Sequence, residues 1–123
     1  MNILINNSCG KPIYTQIEEQ IRDSILKNEL SINEGLPSIR TLAKELKISV
    51  ITTKRAYEEL ERKGFIYTVK GKGSFISNQD TEIIKNIIIK NVKLYLKEGL
   101  KEGKKVELEL SEMKTILEVI YND

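Results

Sequence analysis

Histidine and tryptophan are absent from the 123 residues, cysteine occurs once and proline twice. Each scarcity removes a class of function. The single thiol, Cys9, has no second cysteine in the chain with which to close a disulfide, and without a Cys/His cluster no tetrahedral structural zinc site can be assembled. The lack of histidine also removes the side chain most often used as a general base near neutral pH. The carboxylates fall on helix faces expected to be outward, and the serines near basic residues have no candidate base. The glycines do not stand between a strand and a helix as a phosphate loop requires. The expectation is therefore no catalytic residues, no metal and no cofactor. Long apolar runs are missing too: the most apolar late stretch, Ile83 to Leu96, is interrupted by Lys85, Lys90 and Lys93, which does not read as a membrane span. The opening MNILINNSCGKPIY has neither the charged start nor the apolar core of a secretory signal. A soluble, cytoplasmic protein with no membrane partner is expected.

What is present is unevenly spread. The chain can bury one modest core and a small appendage, with no room for a large sensor domain. Its net charge of +2 conceals a partition: residues 36 to 77 carry 9 basic and 4 acidic side chains, whereas residues 1 to 35 carry 3 and 5 and residues 78 to 123 carry 8 and 9. A positive excess confined to one stretch is the footprint of a polyanion-binding surface, although a charge cluster on its own is more often a solvated face.

That stretch is also the most strongly patterned. Pro37 disfavours helix at the residue before it, Ser38 can cap, and Ile39, Leu42, Ala43 and Leu46 form a packing stripe that ends at Lys47-Ile48. Ser49 then caps a second helix, for which Gly64 supplies a left-handed stop. Within it Thr53, Ala56, Tyr57 and Leu60 follow the spacing of one buried stripe. Val50, Ile51, Lys54, Arg55, Glu58 and Arg62 are left facing outward. Two short helices with so small a connector must cross steeply, as in a helix-turn-helix. After Gly64 the period becomes alternating: Phe65, Tyr67 and Val69 share one strand face, Phe75 and Ser77 a face of the next, and Lys70-Gly71-Lys72-Gly73 forms a basic tip between them.

These residues resemble the DNA-binding domain of the GntR family of bacterial transcription regulators. The family pattern runs through a Pro-Ile-Tyr opening, Leu-Pro-Ser-x-Arg-x-Leu-Ala, an Ala-Tyr-x-x-Leu recognition helix and a Gly-x-Gly-x-Phe wing. The chain matches at Pro12-Ile13-Tyr14, at Leu36 to Ala43, at Ala56 to Leu60 and at Gly71 to Phe75, in order and at the right spacings. Because only a short segment follows Ser77, it is similar to the YtrA type. The resemblance implies a homodimeric repressor of a two-fold operator on double-stranded DNA, often controlling its own operon and transporter genes, released by a signal that an unknown small-molecule effector would supply.

Candidate DNA-binding residues follow from chemistry and resemblance together. Ser38 and Ser49 stand at helix starts, where backbone N–H groups favour a phosphate; simple capping is the plainer role, and both can hold at once. Arg40 matches the Arg of Pro-Ser-x-Arg, which by resemblance reaches DNA, with a surface salt bridge as the alternative. Thr52, Lys54 and Arg55 lie in the N-terminal half of the recognition helix, where side chains reach base edges. Lys54 is favoured, and Arg55 has Glu58 and Glu59 as competing partners. Lys70, Gly71 and Lys72 at the wing suit a minor groove or phosphates. Val50 and Ile51 depart from the polar or basic residues common at that place in the family. They cannot donate to guanine but can pack on thymine methyl groups, unless one of the pair is buried against the first helix.

Elsewhere the periodicity predicts a support helix from Pro12 to about Leu26, its stripe formed by Tyr14, Ile17, Ile21 and Ile25, preceded by a polar segment lying along the domain or partly disordered. A helix from Asp80 to about Lys101 is expected to be weakened or ended by Gly99 and Gly103. A last segment, roughly Val106 to Tyr121, is expected to be helical, with either a cap at Ser111 or a short strand-like start over Val106, Leu108 and Leu110. The lysine-lined face of the first of these helices is read as solvated rather than as a membrane-surface amphipath, since acidic residues alternate nearby. The fold class expected is α+β, mostly α: a winged helix-turn-helix domain over residues 1–77, then a small two-helix dimerisation region over residues 78–123. A winged helix used as a protein-interaction module, or an architectural DNA binder without effector response, is the alternative reading.

Overall fold

Pro12 has no N–H to lose and a fixed φ, here −55°, so it opens α1 (Ile13–Leu26) without sacrificing a hydrogen bond. The computed structural model describes residues 1–123, residue 81 by its backbone alone. Residues 2–11 run along α1, tied to it by amide side chains. Gln16 bonds both the N–H and the carbonyl of Asn6 at 2.8 and 2.9 Å, and Gln20 does the same for Leu4 at 2.9 and 2.8 Å. Each glutamine thus satisfies a donor and an acceptor of a segment with no partner strand.

The stripe expected on α1 is the floor of the core. Ile17 and Ile21 are fully enclosed and Ile25 is buried. Against α1 packs α3 (Val50–Arg62), whose Ala56, Tyr57 and Leu60 are buried, and α2 (Ile39–Leu46) adds the buried Leu42 and Ala43 through its own packing on α3. Both short helices start on a serine whose Oγ accepts from a backbone N–H three residues on: Thr41 N to Ser38 at 3.1 Å, and Thr52 N to Ser49 at 3.0 Å. Lys47 turns the chain between them in the left-handed conformation at φ +56°, and Gly64 stops α3 at φ +84°. At the far end of α3, Lys63 forms an ion pair with the buried Glu18 of α1.

Strands β1 (Ile66–Val69) and β2 (Gly73–Ile76) pair antiparallel, with Ile66 opposite Ile76 and Tyr67 opposite Phe75. The inward face is one residue out of step with the expected alternation. Phe65 is buried but precedes the strand, its N–H closing the end of α3 on the Leu60 carbonyl at 2.9 Å. Ile66 and Ile76 are the enclosed strand residues, while Tyr67 and Val69 are exposed, with Tyr67 stacked on Phe75 at 5.6 Å. The connector before α2 fastens the other edge of β2. Asn33 N–H donates to the Ile76 carbonyl at 2.8 Å, Ile76 N–H to that of Glu34 at 3.0 Å, and Leu36 N–H to that of Ser74 at 2.9 Å.

The chain divides into two units, Met1–Gln79 and Asp80–Asp123. The second consists of α4 (Thr81–Lys104) and α5 (Leu110–Tyr121). Contrary to expectation α4 passes through both glycines. At Gly103 the reason is packing: a Cβ there would lie 2.7 Å from Met113 Sδ, so the bare backbone makes room for α5. The last segment also differs from its expected start. Residues 105–107 form a turn, with Glu107 at φ +59°, and residues 108–109 are irregular, so no strand forms there. Glu109, not Ser111, caps α5 through a capping box with Glu112. No helix is long and apolar enough to cross a membrane, and no cluster of His, Cys, Asp or Glu suited to a metal ion occurs among the described residues. The molecule is α+β, mostly α, with a winged helix-turn-helix in its first unit.

Candidate nucleic-acid interface

Because Thr53, Ala56 and Leu60 are fully enclosed and Tyr57 nearly so, the opposite side of α3 has to project. Its pole is Ile51, 80 % exposed, with Val50 beside it at 46 %. Neither is buried against α2, so the alternative in which one of the pair belongs to the core is not realised. Lys54, Arg55, Glu58 and Arg62 share this outer side.

The polar groups on that side differ in how firmly they are engaged. Thr52 is half-buried and drawn into the cap, its backbone N–H and its Oγ1 both bonded to the Ser49 hydroxyl. Lys54 lies 3.9 Å from Glu58, both well exposed, a pairing that contributes little in water. Arg62 binds Glu59 at 2.7 Å, and this hydrogen bond holds the Glu59 carboxyl below the usual carboxylate range and raises the Arg62 guanidinium. Arg55 takes neither Glu58 nor Glu59. Its guanidinium carbon sits 4.2 Å above the ring centroid of Tyr14 on α1, and its Nη2 donates to the Tyr14 hydroxyl at 3.3 Å.

At the start of α2, Ser38 and Arg40 are exposed, and Arg40 has no ion pair or hydrogen bond among the described residues. A shallow concavity of about 240 Å³ sets both residues beside the base of the wing at Thr68, Gly73 and Ser74. Its wall includes Tyr57, whose buried hydroxyl donates to the Pro37 carbonyl at 2.7 Å. That bond ties α3 to the residue before the α2 cap. Lys70 and Lys72 stand exposed at the wing tip, where Lys72 N–H closes the turn on the Val69 carbonyl at 2.9 Å and Gly71 adopts φ +80°. The residues thus form two groups, Ser38 and Arg40 at the wing base and Ser49 to Arg55 along α3, with the wing lysines beyond. Tyr14 was readable only as a member of the α1 stripe, and Tyr57 only as core. The Pro-Ile-Tyr motif signals Tyr14 but not its partner, which lies 41 residues away.

This arrangement has close parallels. The pattern of the bacterial regulatory proteins of the gntR family matches residues 13–76. The HTH-type transcriptional regulator YhcF of Bacillus subtilis is 36 % identical over 104 residues, 85 % of either chain. The HTH-type transcriptional repressor YtrA of the same organism is 36 % identical over 100 residues, 81 % of this chain and 74 % of its own. The crystal structure of a transcriptional regulator from Oenococcus oeni superposes with a TM-score of 0.76 at 30 % identity, covering 98 % of this chain and 97 % of that one. With a recognition helix held proud of its core, a basic wing beside it and these relatives, the chain belongs to the gntR family of bacterial DNA-binding transcriptional regulators, in its YtrA-like branch.

Proposed function

We propose that the chain is a homodimeric, cytoplasmic repressor that reads a two-fold operator, with residues 1–77 as the DNA-binding domain and residues 78–123 joining the two copies. The observation that carries this is the outer side of α3. Val50, Ile51, Lys54 and Arg55 are exposed on a helix capped at both ends, in the stretch that concentrates the chain's positive charge. In this reading α3 enters the major groove, Lys54 reaches base edges, Ser38, Arg40 and Ser49 meet phosphates, and Lys70, Gly71 and Lys72 contact the neighbouring groove. A repressor is named among the relatives, the YtrA of Bacillus subtilis.

What α4 and α5 leave uncovered supports the dimer. No residue of α5 is buried, and Leu96, Leu100, Ile116, Leu117 and Ile120 line an apolar groove of about 380 Å³. A two-helix hairpin cannot enclose such a surface by itself, whereas a second copy turned about a two-fold axis completes a four-helix arrangement. Selection of bound fragments from the source genome, followed by titration of the best site against salt, tests the proposal. It predicts a palindromic site with half-site centres about 34–36 Å or a multiple apart, and affinity falling steeply with salt as counterions are released. A salt-insensitive interaction would favour a protein-interaction module. Equal affinity for random sequence would favour an architectural binder.

A further inference from the structure

Of the cations on α3, Arg55 alone has no carboxylate within ion-pair distance among the described residues, since Lys54 faces Glu58 and Arg62 holds Glu59. It is nevertheless not loose. With its carbon 4.2 Å above the Tyr14 ring centroid, the guanidinium lies against an aromatic face. A guanidinium carries five N–H donors, and a cation–π contact is not itself a hydrogen bond to any of them. Only one is engaged, by the Tyr14 hydroxyl oxygen at 3.3 Å. That oxygen accepts, so the phenolic hydrogen stays available, and Tyr14 makes no other hydrogen bond among the described residues. Two neighbouring side chains thus offer donors that the protein does not use.

Their place on the helix identifies the acceptor. Arg55 follows Ile51 by four residues, which turns it about 40° from the exposed pole, towards α1 where Tyr14 resides. A helix roughly 10–12 Å across nearly fills a major groove about 12 Å wide, so its pole meets base edges and its flanks meet the groove walls, which carry the phosphates. Resting on these foundations and on the DNA-reading role proposed above, we infer that Tyr14 and Arg55 form a phosphate-binding pair on the α1 flank of the recognition helix. Tyr14 holds the guanidinium in place before DNA arrives and donates its own hydrogen to the same phosphate. An arginine already ordered on a ring loses less freedom on binding than one recruited from solvent.

The test uses the full chain and its selected operator. Removing one phosphate contact lowers the slope of log affinity against log salt by about 0.9 for each copy bound to duplex DNA. Arg55→Ala, an exposed position, is expected to show that reduction with an unchanged unfolding midpoint. Tyr14→Leu is expected to share the reduction. Tyr14→Phe, which keeps the ring, is expected to retain the slope and weaken binding several-fold. Operators carrying one neutral methylphosphonate at a time supply a readout that a merely structural role would not move: one phosphate in each half-site should matter to the wild type and be silent in Arg55→Ala. Wild-type slope in Arg55→Ala, or no phosphate silenced by it, overturns the pair while leaving DNA reading intact. A wild-type chain that selects no operator overturns the DNA-reading proposal first, and the pair with it.

Discussion

Replacing Tyr57 by phenylalanine separates two contributions of one buried hydroxyl. The ring is 3 % exposed, and its hydroxyl donates to the Pro37 carbonyl at 2.7 Å, so the variant keeps the packing and loses the bond. A neutral hydrogen bond contributes about 1 kcal/mol net, and a half-buried carbonyl left without its donor raises the cost towards 2 kcal/mol. The variant should therefore be about 1–2 kcal/mol less stable at pH 7. In alkali the order reverses. Burial, and next the Glu45 carboxylate, hold the Tyr57 proton well above the ordinary phenol value of 10.0. Above that value the unfolded chain has lost a proton that the folded chain keeps. Wild-type stability is accordingly complete below about pH 10 and falls beyond it by up to about 1.4 kcal/mol per pH unit. Phenylalanine has no proton to lose, and the remaining tyrosines contribute equally to both proteins. Urea unfolding followed by far-ultraviolet circular dichroism, at one protein concentration and in steps from pH 7 to 11.5, should show the gap closing near pH 11 and then changing sign. A gap constant with pH would refute the burial of this phenol, and no gap at pH 7 would refute the contribution of its bond to the start of α2.

Other consequences are as direct. Uracil in place of thymine at operator positions facing Val50 and Ile51 should weaken binding about fourfold per methyl removed, the worth of one buried methyl-sized group at about 0.8 kcal/mol; unchanged affinity would discard methyl recognition. Ile21→Ala, at a fully enclosed site between α1 and α3, should cost about 2–5 kcal/mol in urea unfolding, and a loss below 1 kcal/mol would place Ile21 outside the core. Leu117→Lys, at a half-exposed position lining the α4–α5 groove, should shift sedimentation from dimer to monomer, an unaltered dimer mass contradicting the proposed interface. Lys70→Ala combined with Lys72→Ala should lower the salt slope by about one to two for each copy bound without changing the preferred sequence, whereas a changed preference would mean that the wing reads bases.

The first unit was largely legible because its signals are local. A serine before each short helix, a glycine after α3 and a stripe of four positions are each read within a single turn or two, and the structure uses all of them. What escaped depends on residues far apart in the chain. Glycine disfavours helix locally, yet α4 continues through Gly103 because Met113, ten residues on, packs where a side chain would stand. Phe65 begins an alternating run and so reads as strand, but its N–H closes α3, and the strand starts one residue later. Whether the N-terminal segment lies along the domain or is partly disordered stays open in the sequence because Gln16 and Gln20 read as ordinary polar positions rather than as partners of its backbone. The outward pair Val50 and Ile51 was visible from periodicity, and only the structure decided that neither turns inward. The aromatic seat of Arg55 had no local trace, since Glu58 and Glu59 were the nearer partners.

Hydroxyl-radical footprinting of the intact chain on its selected site tests the central proposal most directly. Two equal protected patches related by a two-fold axis and separated by one helical turn or a multiple are predicted, and Lys54→Ala should thin both patches to the same extent. A single unsymmetrical patch, or a footprint indifferent to that change on α3, would contradict it.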